Sequence, residues 1–135
     1  MTFSYRDITP RIKRPIIRVV LKSKDTFVIY PVLIDSGADY CIFSIELARA
    51  LNIKLSKSKI SFMGVGKEKV QGFWGEVAIR VGEVTYELKA IFAEISEFGH
   101  GILGQKGFFD HFDVKLSYQK QIIEIEHVEE LKDAN

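Results

Sequence analysis

A single cysteine, Cys41, excludes an intrachain disulfide framework in this 135-residue chain and fits a reducing compartment. No window approaches the roughly 18 uncharged apolar residues that mark a membrane-spanning helix. Residues 1–15 are polar, with Arg6, Arg11, Lys13 and Arg14, and lack the apolar stretch of a secretory signal. The net charge is only +1, so no strong field draws the chain to nucleic acid or to a membrane surface. His100, His111 and His127 lack metal-ligand spacing, and neither metal nor other cofactor is expected. A Gly-x-Ser-x-Gly elbow is missing, which argues against a serine nucleophile. Gly64-x-Gly66 is followed by no Lys-Ser/Thr at phosphate-loop spacing. These absences leave a soluble, cytoplasmic protein as the expectation.

What is present suits one folded domain: 47% of the residues are apolar and 12% aromatic. Residues 1–15 read as a polar arm, 16–126 as the domain and 127–135 as a charged tail. Residues 16–21 and 27–34 are rich in β-branched and aromatic residues and read as strands joined by the polar stretch 22–26. Pro31 places the second of them at an edge or a bulge. Residues 44–51 are the best helix candidate: Ser44 can cap it, Glu46 suits its first turn, and Leu47, Ala48 and Leu51 share a face. Residues 60–63 form a short apolar run. From 76 to 92 apolar residues alternate around a tight turn at Gly82-Glu83. A loop over 94–99, a short strand at 101–104, a short aromatic helix near 107–112 and a hairpin pairing 114–118 with 122–126 complete the pattern. The sum is an all-β, mainly antiparallel domain with one or two short helices.

The chemistry concentrates at Pro31-Val32-Leu33-Ile34-Asp35-Ser36-Gly37-Ala38-Asp39. A strand apolar on both faces ends in the interior, and this one delivers Asp35 at that end. A buried carboxylate must be paired, hydrogen-bonded or protonated. Gly37 lets the backbone turn sharply with an N–H near the carboxylate, and Ser36 adds a small hydroxyl. Asp-Ser-Gly taken alone is most often a turn-capping carboxylate. The apolar strand before it and a second motif later weigh against that here.

Asp35-Ser36-Gly37-Ala38-Asp39 resembles the signature of the retropepsins, the retroviral and retroviral-like aspartic proteases. Gly64-Val65-Gly66 resembles the family's flap, and Ile102-Leu103-Gly104 its apolar-apolar-Gly strand behind the catalytic loop. The likeness covers about residues 16–126. It implies a closed β-barrel of the acid-protease half type, with Asp35 as the catalytic residue. Asp35 would meet its mate in a homodimer around one water, and the substrate would be an extended polypeptide. Ser36 and Gly37 would support the loop, and Ser36 would bond across the dimer axis. Gly37, Ala38, Asp39, Gly64, Val65, Gly66 and Ile102 would bind substrate, Asp39 through a main-chain N–H of the peptide. One Asp-Ser-Gly per chain requires two chains for a two-carboxylate mechanism.

Two features depart from the family pattern. Retroviral members usually carry an arginine after the apolar-apolar-Gly motif, bracing the second aspartate. Here Gln105 stands there, and a neutral amide cannot form a bidentate ion pair with Asp39. The flap residues Lys67, Glu68 and Lys69 are also more charged than a general peptide clamp requires. A peptide-binding or dimerisation module without cleavage is therefore the alternative. Cys41, Phe108, Phe109 and Phe112 read as core, and the lysines at 54, 57, 59, 67 and 69 as a solvated face.

Overall fold

Alternating apolar residues settle into paired strands where a neighbour can cover one face. The computed structural model describes residues 1–63 and 69–129. Its strands are β1 (Thr2–Ser4), β2 (Arg6–Thr9), β3 (Ile12–Arg14), β4 (Ile16–Ser23), β5 (Thr26–Ile34) and β6 (Ile42–Ser44). After helix α1 (Ile45–Ala50) come β7 (Lys59–Met63), β8 (Lys69–Val81), β9 (Val84–Ala93), β10 (Gly101–Leu103), β11 (Phe112–Ser117) and β12 (Ile122–His127).

Seven strands share the main sheet in the order β4-β5-β10-β6-β9-β8-β7. β10 lies parallel to β5 and β6 parallel to β9, while the other pairings are antiparallel. The expected closed barrel is corrected by this topology. The strands divide among three sheets, and the seven-stranded one ends at β7, whose outer side meets no strand among the described residues. β4 does touch β8, but only through Val20–Lys22 against Ala78–Arg80. The sheet folds over at that short contact without closing along its strands. The physical reason is the length of β8, whose first half runs out with β7 and away from β4.

Local turns follow the sequence closely in the long hairpins. Val81 pairs with Val84 across Gly82, whose φ of 56° suits glycine, and Val77, Ile79 and Val81 are buried as the alternation requires. Between β4 and β5 the turn is tighter than the five polar residues suggested. Ser23 pairs with Thr26, and Lys24 takes the left-handed conformation. Pro31 pairs with Arg18 in β4, while β10 joins β5 only from Val32 onward, so Pro31 lies where β5 has one neighbour.

The helices need two corrections. The segment 107–112 is a run of turns and not a helix, because Gly107 enters at φ 102° and Phe112 already belongs to β11. The loop 94–99 instead holds a short 3-10 helix, Ser96–Phe98, ended by Gly99 in the left-handed conformation. Ser44 stands at the N-cap of α1, yet its side chain makes no capping bond.

The main core gathers Phe43, Phe92, Phe108 and Phe112 with the buried faces of β4, β8 and β9. β1 and β11 flank β12 in a three-stranded sheet, where the Met1 amine donates to the Ile125 carbonyl at 2.8 Å. A second apolar cluster, around Ile42, Ile91, Ala93 and Ile95, lies beneath β7 and the start of β8. It borders the candidate site.

Candidate active site

β5 carries its chain inward through buried Val32 and Ile34 and stops at Asp35. There the ladder ends in fixed bonds: the Ile34 N–H donates to the Pro15 carbonyl and the Asp35 N–H to the Leu103 carbonyl, each at 3.0 Å. The chain then turns. Gly37 donates its N–H to Asp35 Oδ1 at 2.9 Å, and Ala38 donates to the Asp35 carbonyl at 3.2 Å. A hydrogen-bonded carboxylate, half-buried at the head of a turn, is thus held at a fixed orientation.

β10 supports this loop from behind. A Cβ on Gly104 would sit 2.4 Å from the Tyr40 carbonyl oxygen and 2.7 Å from that of Ala38, so only glycine permits the approach. Immediately afterward, the Gln105 N–H donates to Ala38 and the Lys106 N–H to Asp39, at 2.8 and 2.9 Å. The Gln105 side chain adds a third tie, its Nε2 donating to the Ser36 carbonyl at 2.6 Å. Three carbonyls of the loop, those of Ser36, Ala38 and Asp39, are therefore anchored by one crossing segment.

A cavity of about 540 Å3 opens in front of the carboxylate. Asp35, Gly37, Ala38, Asp39 and Ile102 all line it, so five of the residues singled out by sequence meet there. Ser36 is exposed and contributes its carbonyl to the loop's anchorage and no part of the cavity wall. Gly64, Val65 and Gly66 lie outside the described residues. Tyr40, Ile42, Ile60, Phe62, Val70, Ile91, Ile95 and Phe98 supply most of the apolar wall and were not foreseen. The alternation of Ile60 and Phe62 along β7 was a usable signal, but it names a face and no partner.

Titratable groups behind the loop are silenced by burial. Cys41 is fully buried, its Sγ facing the Lys106 carbonyl, and desolvation pushes the thiol up to about 12. Tyr86 is likewise raised, mainly by burial, and its hydroxyl donates to the Gly107 carbonyl at 2.6 Å. Among the described residues no group of three His, Cys, Asp or Glu side chains converges as a metal site requires.

The family described as aspartyl protease matches residues 21–106, which include both the Asp35 loop and the Gly104-Gln105 crossing. The solved structure of EIAV protease complexed with the inhibitor HBY-793 is similar to this chain. The two are 26% identical, with 72% of this chain and 86% of that one covered and a TM-score of 0.53. A search of curated proteins returned no match.

Proposed function

Because the chain belongs to the retropepsin-like family of aspartyl proteases, we propose that it is an aspartic endopeptidase active as a homodimer. The observation that carries this is the placement of Asp35: a carboxylate fixed by the Gly37 N–H at the head of an apolar cavity. Two such groups facing each other across a two-fold axis cannot both ionise easily, so the pair shares a proton. The ionised member takes a proton from the water between them, and the resulting oxygen attacks the scissile carbonyl carbon. The protonated member gives its proton to the carbonyl oxygen. Collapse of the tetrahedral species breaks the C–N bond, and the amine leaves with a proton from the pair.

In this mechanism Ser36 braces the two loops against each other. Gly37 and Ala38 receive the substrate backbone, and Asp39 accepts one of its N–H groups. The family resemblance assigns Gly64, Val65 and Gly66 to substrate binding, and they lie outside the described residues. Gln105 does not remove the loop's support, since its amide holds the Ser36 carbonyl.

Incubation with a diverse peptide library from about pH 4 to pH 7 tests the assignment. Asp35→Asn is expected to lower cleavage by about 100-fold or more while the circular dichroism and the dimer persist. Wild-type rates in the variant would refute Asp35 as the catalytic group. Peptide binding by the wild type without any cleavage would favour the non-cutting module.

A further inference from the structure

Asp39 sets a second carboxylate on the cavity wall, and it is exposed. Asp35 and Asp39 are the only charged side chains among the described residues of that wall. No ion pair among the described residues involves Asp39. Gln105 spends its amide on the Ser36 carbonyl, and the Lys106 backbone N–H donates to the Asp39 main-chain carbonyl, leaving the carboxylate itself uncontacted by either. Among the described residues the Asp39 carboxylate is therefore a charge beside the reacting group with apolar wall residues around it and no ion-pair partner.

We propose that Asp39 is a specificity-determining residue that selects a lysine or arginine side chain in the bound polypeptide, a role that rests on the endopeptidase reading. A peptide filling the cavity displaces the water that solvates Asp39, and a single main-chain N–H leaves most of the carboxylate's acceptor sites unsatisfied. A cationic side chain laid against it restores the lost interaction, whereas an acidic one adds repulsion. The two-fold axis repeats Asp39 on the far side of the scissile bond, so the preference falls on both flanks of the cleaved sequence. A main-chain N–H on the same carboxylate would orient the peptide without discriminating among side chains.

The test uses N-acetylated peptides that share apolar residues at the scissile bond and carry Lys, Gln or Glu at each flanking position in turn. Binding is measured to the Asp35→Asn protein by fluorescence anisotropy, and cleavage by the wild type. At one position on each flank, Lys is expected to exceed Gln by about fivefold, and Glu to fall below Gln, at low salt. Adding Asp39→Asn should bring the Lys-to-Glu ratio close to one. Gln105→Arg, which adds a guanidinium on the segment whose backbone anchors the Ala38 and Asp39 carbonyls, should shrink the same ratio. If Asp39→Asn weakens all peptides alike and leaves the ratio intact, the proposal is overturned and Asp39 serves the main chain alone. Binding with the charge preference but no wild-type cleavage would overturn the endopeptidase reading and leave the role of Asp39 standing.

Discussion

A methyl group is the whole difference between alanine and glycine, and at Gly104 there is no room for one. The obstructing atoms are carbonyls of the Asp35 loop, which cannot rotate aside as a side chain would. Gly104→Ala is expected to cost about 3 kcal/mol, read as a lower urea midpoint, because the loop and β10 must separate. Cys41 acts at the same scale but through protonation. Its thiol rises from 9.0 to about 12 because burial disfavours the thiolate. The folded protein thus keeps a proton that the unfolded chain releases from about pH 9 upward. The group's contribution is complete below that pH and is lost as pH climbs toward 12, at most about 1.4 kcal/mol per pH unit. Tyr86, also raised, adds a loss of the same sign. Denaturant titrations between pH 8 and 11 should show this decline, and Cys41→Ala should make it shallower (about 1 kcal/mol per unit is easily resolved).

Among the elements, β7 and the first half of β8 form an extension that covers the cavity with Ile60, Phe62 and Val70. Phe62 is half-buried, whereas Phe43 in the main core is fully enclosed. Phe62→Ala should therefore cost only about 1 kcal/mol of stability while raising KM several-fold. Calorimetry and steady-state kinetics on the one variant separate the two effects. An unchanged KM would mean that β7 does not hold the peptide. Element type was legible wherever spacing and turn chemistry agreed, as at Val81-Gly82-Glu83-Val84. The segment 107–112 was misread because Phe108, Phe109 and Phe112 have helical spacing. That spacing also fits successive turns packed on a core, and Phe108 and Phe112 are indeed buried with ring centroids 5.2 Å apart.

On the scale of the whole molecule, the proposed catalysis by paired aspartates would make activity a property of two chains. Mixing wild type and Asp35→Asn in equal amounts, then allowing exchange, should leave about one quarter of the dimers with two intact carboxylates. Activity per total protein should fall to about that fraction, and dilution below the dimer dissociation constant should reduce it further. A fall to about one half would mean that each chain works alone.

The sequence alone located the carboxylate. Val32 and Ile34 leading into Asp35-Ser36-Gly37 is a local pattern, and burial at one end of a strand can be read from neighbours in the chain. It also showed, through the single Asp-Ser-Gly, that a two-carboxylate reaction needs a partner. The tertiary structure alone decided what holds and surrounds that group. Gln105 reaches the Ser36 carbonyl from 69 residues away, and Gly104 meets Ala38 and Tyr40 backbone to backbone. Side-chain period tells which face of a strand is covered but never by what. The apolar wall of the cavity and the sheet's failure to close were fixed by long-range pairing.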